Sequence, residues 1–109
     1  MTALIYCPFP DADAEVAGSV GQALLDEKLI GCINIGGAIR SMFCWNGEAG
    51  SGDEVAALLK TNASLLEQAI ARLEDLHPYE APAILGCPCV GGAATTQWLS
   101  KLGEGARNG

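Results

Sequence analysis

Positive charge is scarce in this chain. Six Lys plus Arg stand against thirteen Asp plus Glu in 109 residues, a formal net charge of −7. So few cations cannot form a basic stripe, which argues against a nucleic-acid partner, because phosphate neutralisation supplies most of that affinity. Long apolar runs are missing too. None approaches the roughly 18 residues needed to span a membrane, and the opening Met1-Thr2-Ala3-Leu4-Ile5-Tyr6 has neither the basic nor the apolar region of a secretory leader. The five cysteines (Cys7, Cys32, Cys44, Cys87 and Cys89) are an odd number with no CxxC pair. A disulfide framework and a closed zinc site are therefore not expected, and reduced thiols in a cytoplasmic protein fit better. Charged residues make up only 17% of the chain, below the usual figure of about 25%. Much of the surface must then be apolar or uncharged, which a subunit interface would explain.

What is present reads as one domain over 1–102, with 103–109 a loose tail. A first strand over 4–7 is expected to stop at Pro8 and Pro10. Asp11 and Asp13 favour a helix start. Val16, Val20, Leu24 and Leu25 form its apolar stripe, and Gly31 can close it. Gly18 and Gly21 weaken this helix but let it sit close on a sheet. A long strand over 32–45 is bent at Gly36-Gly37, with Met42 and Cys44 on one face and Phe43 and Trp45 on the other. Residues 47–53 read as a turn, and 54–60 as a return strand, central and buried on both faces. Asn62 or Ser64 starts a second helix, Ser64 with Glu67 fitting a capping box, and its apolar face runs from Leu66 to Leu76. A last strand over 83–87 and a short helix over 97–102 follow. The order β-α-β-β-α-β plus a terminal helix predicts an α+β, ferredoxin-like split-βαβ sandwich. Two helices cover one face of such a sheet, and a second subunit is the simplest cover for the other.

Most of the chemistry sits in Leu76-His77-Pro78-Tyr79-Glu80-Ala81-Pro82, which holds the only histidine. Pro78 ends the helix and pushes His77 into extended backbone. His77 has three uses open to it: a structural hydrogen-bonding role at the helix end, metal ligation through the neutral ring, or acid–base work. Cys87-Pro88-Cys89 puts two thiols on one side of an extended segment, either as small core residues or for soft-metal capture. Lys60 ends an apolar strand, where its ammonium must find solvent, a carboxylate or an anionic ligand. With Trp45, Tyr79 and Glu80 it can line a cleft between subunits. Trp45 and Trp98 read as interface and core anchors. Gly36-Gly37 and Gly91-Gly92 lack a phosphate-loop context. An enzyme needs a nucleophile, a base and an oxyanion device, and nothing here supplies the last, so a non-enzymatic protein is expected.

Four blocks in order carry a family resemblance: Leu25-Asp26-Glu27-Lys28-Leu29-Ile30-Gly31-Cys32-Ile33-Asn34-Ile35, Ser41-Met42-Phe43-Cys44-Trp45-Asn46-Gly47, Leu58-Leu59-Lys60-Thr61, and His77-Pro78-Tyr79-Glu80-Ala81-Pro82 followed by Ile84 and Trp98. In these the chain resembles the CutA-like divalent-cation tolerance proteins across nearly its whole length. The resemblance implies a ferredoxin-like subunit in a homotrimer, much like the PII signalling proteins, and a part in tolerance of copper and other divalent metal ions. It would put metal ligands at Cys7 and His77, a chemically sensible copper pair that lacks a third ligand, which Glu80 or another subunit could supply. The alternative it suggests is a PII-like sensor or adaptor binding an anionic small molecule between subunits. Three positions depart from the family pattern: Asn46 replaces a glutamate, Thr95 a tyrosine, and Leu76 the further histidine of some members. The downstream partner is not legible.

Overall fold

A computed structural model of the chain describes residues 1–10 and 14–103. Its first strand, β1 (Thr2–Pro10), runs well past the expected stop at Pro8. The hydrogen-bond directions explain why. Met1 O accepts the Ala63 N–H at 2.7 Å on one side, while Pro8 O points to the other side, toward His77. Odd positions of β1 therefore bond to β3 (Glu48–Asn62), and even positions face β4 (Leu85–Cys89). Pairing with β4 ends at Tyr6↔Leu85, so the missing N–H groups of Pro8 and Pro10 fall where no strand needs them.

Strand β2 (Cys32–Trp45) bends where expected, with a bulge between Gly36 and Ala38 and Gly37 at φ +61°. The turn that follows is much tighter than the glycine-rich composition suggested. Asn46 (φ 52°) and Gly47 (φ 80°) form a two-residue hairpin turn, the type in which both central residues need positive φ. Strand β3 then starts at Glu48 and takes Gly50 and Gly52 into its ladder. The Phe43 ring lies over Gly50, where a Cβ would come within 2.7 Å of it.

The sheet order is β2-β3-β1-β4 with every pairing antiparallel, the ferredoxin-like arrangement. Beyond Pro10↔Glu54 the β2–β3 hairpin continues as an arm without a third strand among the described residues. Strand β3 is central, as expected, yet it is buried on one face only. Val55, Ala57, Leu59 and Thr61 are buried, while Leu58 between them is 41% exposed.

Helices α1 (Ala14–Asp26) and α2 (Leu66–Leu76) pack on the buried face around Ile5, Phe9, Leu24, Leu59 and Leu73. The expected caps Asp11 and Asp13 lie outside the described residues. Lys28, not Gly31, closes α1. It sits at φ 61° while Leu29 N–H reaches Leu24 O and Lys28 N–H reaches Leu25 O, both at 3.0 Å, a Schellman closure. Gly31 serves close packing instead, since a Cβ there would meet Leu99 at 2.7 Å. Gly21 likewise lies tight on Ile33, whereas Gly18 is open. Of the two expected starts of α2, Asn62 takes the place of the Ser64–Glu67 box: its Oδ1 accepts from Leu65 N–H at 3.1 Å and Ser64 Oγ at 2.6 Å. Strand β4 starts at Leu85, two residues later than expected. Helix α3 (Ala93–Ser100) lies earlier than expected and covers one end of the other face, where Asn62 Nδ2 donates to Leu99 O at 2.8 Å.

Candidate functional site

Pro78 stops α2 as its chemistry requires, leaving His77 in extended backbone at φ −71°, ψ 139°. The ring turns inward, 7% exposed, and stacks on Phe9 with centroids 4.6 Å apart. Tyr79 N–H donates to Nδ1 at 3.1 Å, and Nε2 lies 2.8 Å from Pro8 O. Together these contacts assign the neutral tautomer with its hydrogen on Nε2, donated to Pro8. The ring thus occupies the position beside β1 that β4 has vacated, and it satisfies the carbonyl that the vacancy exposes. Tyr79 packs on the imidazole at 4.8 Å, and its hydroxyl donates to Glu54 Oε2 at 2.9 Å. Pro8 O and Glu54 are the partners sequence reasoning missed. They stand 69 and 25 residues from theirs, and no local signal marks them.

Cys7 is brought to the same place. Its thiol lies 3.6 Å from Pro8 O, fully buried in the core. Burial, with Glu54 adding to it, pushes the thiol up to about 12 from 9.0, so it is protonated at neutral pH. As arranged, this corner suits a metal poorly. One ring nitrogen carries hydrogen, the lone pair of the other is taken, and the thiolate is suppressed. Among the described residues no three His, Cys, Asp or Glu side chains stand together to hold a metal ion.

The raised Cys7 value has a measurable sign. The native thiol stays neutral while the unfolded one ionises above pH 9, so its stabilising share is complete below 9 and is lost progressively from pH 9 to about 12. Cys7→Ala should therefore flatten the fall in unfolding free energy over that range. Identical slopes for the variant and wild type in urea titrations would refute the assignment.

The four residues expected to line a cleft are not gathered within one chain. Trp45 is at the hairpin tip, opposite Glu48, and Lys60 lies twelve residues further along β3, on the order of 40 Å away at ~3.3 Å per residue. Tyr79 stands near Glu54, and Glu80 is exposed. Lys60 lies between Cys32 and Leu4 in the row Cys32↔Lys60↔Leu4↔Cys87. It has no ion-pair partner among the described residues, where the pairs are Arg40–Asp53 and Arg72–Glu27.

That row lies on the sheet face away from α1 and α2. Gly86 faces those helices, since a Cβ there would meet Leu66 and Ile70. By alternation Leu85, Cys87 and Cys89 face away from them. Neither cysteine is therefore in the core, as their small size had suggested. Cys87 is exposed and Cys89 half-buried, because they lie on the face that α1 and α2 leave uncovered. The same face carries Tyr6, Leu58 and Leu85, the last 69% exposed, and the arm adds Phe43 and Trp45 at 53% and 56%. So much exposed apolar surface is unusual for a monomer.

Comparison with known proteins agrees with this architecture. Residues 3–101 match the family described as CutA1 divalent ion tolerance protein. The divalent-cation tolerance protein CutA of Pyrococcus horikoshii is 39% identical over 75% of this chain and 78% of its own length. The CutA protein of Thermus thermophilus is 35% identical over 80% and 85%. Among solved structures, CutA1 from Ehrlichia chaffeensis superposes with a TM-score of 0.81 at 33% identity, covering 92% of both chains. CutA from Xylella fastidiosa reaches 0.83 at 30% identity, over 92% of this chain and 95% of that one. With the fold, the blocks and the relatives in agreement, the chain belongs to the CutA1 divalent ion tolerance family.

Proposed function

We propose that this protein is a non-enzymatic, cytoplasmic homotrimer that takes part in tolerance of divalent metal ions, with copper the principal one. The observation that carries the assembly is the bare sheet face, continued by an arm with no third strand. An isolated two-stranded ribbon is marginal in water, and copies of this chain offer matching apolar surface. Membership of a divalent ion tolerance family supports the metal role. Against catalysis stands the buried Cys7, whose raised value makes it a poor nucleophile at neutral pH. In this reading Cys7 and His77 clamp the end of β1, and copper is held elsewhere.

Two measurements test the proposal. Sedimentation at micromolar concentration should give three times the chain mass of 11.2 kDa; a monomer would sink the assembly. Cells lacking the gene should grow worse in raised copper and recover with the wild-type gene, and equal growth would remove the metal role. A second reading is favoured by the Lys60 ammonium, which has no ion-pair partner among the described residues: a sensor binding an anionic small molecule between subunits. It requires a stabilising ligand whose thermal shift disappears in Lys60→Ala.

A further inference from the structure

We propose that Cys87 and Cys89 form a two-thiolate site for copper(I) on the face of β4 turned away from α1 and α2. This rests on the copper role proposed above and gives it a location that the His77 corner does not offer. Both side chains project from the same side of an extended edge strand, away from α1 and α2. Neither thiol is in a disulfide or has a hydrogen-bond partner among the described residues.

The backbone beneath them is held still. Cys87 and Cys89 pair with Leu4 and Thr2, at even positions of β1 whose hydrogen bonds point toward β4. The missing N–H of Pro88, between them, falls on the outer edge and costs no ladder bond.

Spacing selects the chemistry. Residues two apart in a strand are about 6.7 Å from each other, two rises of ~3.3 Å, whereas a disulfide needs Cβ atoms about 3.5–4.5 Å apart. The pair therefore resists closing on itself. A two-coordinate ion spans about 4.6 Å between sulfurs, taking a metal–thiolate length of ~2.3 Å, which the side chains reach by leaning inward. Thiolates select the soft, monovalent state of copper, the form kept in a reducing compartment. On binding, both S–H bonds break and their protons go to solvent. The two sulfur lone pairs form the copper–sulfur bonds, and copper stays at +1.

No other thiol offers this pairing. Cys7 is buried and protonated, while Cys32 and Cys44 stand apart on β2 with no second cysteine beside them on that strand.

The test uses the whole protein, reduced and anaerobic, competing for copper(I) with bathocuproine disulfonate. Expected are one copper retained per chain and two protons released per ion. Cys87→Ser and Cys89→Ser should each weaken binding by more than about tenfold, the loss seen when even a supporting group of a metal site is changed. Cys7→Ser and Cys44→Ser should leave binding unchanged. The inference is overturned if wild type retains no copper, if both β4 variants bind as tightly as wild type, or if either control loses the metal. Sedimentation of the same samples, together with the copper growth assay, separates failure of this site from failure of the assembly or of the copper role.

Discussion

His77→Ala should lower the unfolding free energy of the metal-free protein by about 3–5 kcal/mol, the range for deleting a buried aromatic ring. Two losses combine. The stack on Phe9 becomes a hole in the core, and Pro8 O, at the end of β1, loses its closer donor and keeps only the weak Cys7 thiol at 3.6 Å. A buried acceptor left wholly without a partner costs about 1–3 kcal/mol; with the thiol still in reach the share here is the lower part of that range, and the terms overlap. Urea unfolding with chelator present and at fixed protein concentration measures the total, since assembly makes stability concentration-dependent. The outcome also divides the two main uses of this histidine. A ring whose only task was to hold metal could be removed from the apo protein at a cost within about 0.5 kcal/mol; that result would show that the clamp holds nothing.

The other large effect is expected from Leu58→Glu. Leu58 sits mid-strand between Asn34 and Tyr6 on the bare face, 41% exposed. The isolated chain should tolerate a carboxylate there, because water still reaches it. In the assembly each copy would bury a charge against its neighbours at several kcal/mol per ion, which raises the dissociation constant by more than about a thousandfold. The measured mass should fall to that of a single chain with the circular dichroism spectrum unchanged. A persisting trimer would mean that the subunits meet elsewhere.

What could be read in advance followed from local chemistry. The glycine pair bends β2, Pro78 stops α2, and the element order specifies a split-βαβ sheet, because each depends on a few adjacent residues. Errors arose where a distant strand decides. Pro8 looked like a stop because nothing local shows which side of β1 is unpaired. The segment from Gly47 looked like a loop because Phe43, which covers Gly50, lies on the opposite strand. Cys87 and Cys89 were easily taken for core residues, since nothing local shows which face of β4 the helices cover. The candidate site was legible in its members and not in its connections. His77 and Cys7 do meet, but at a carbonyl oxygen that no side-chain pattern reveals.

The pairing of Thr2 with Cys89 has a temporal consequence. It closes almost the whole chain into one loop, whereas the Asn46-Gly47 turn closes the β2–β3 hairpin between neighbours. Closure entropy rises with loop length, and long-range pairings are the slow ones. The expected order of assembly has the hairpin early and β4 last. A ribosome must therefore release nearly the entire chain before the two β4 thiols are held in register on an ordered strand. Until then they are two flexible cysteines, and an ion arriving early meets a polymer and not a site.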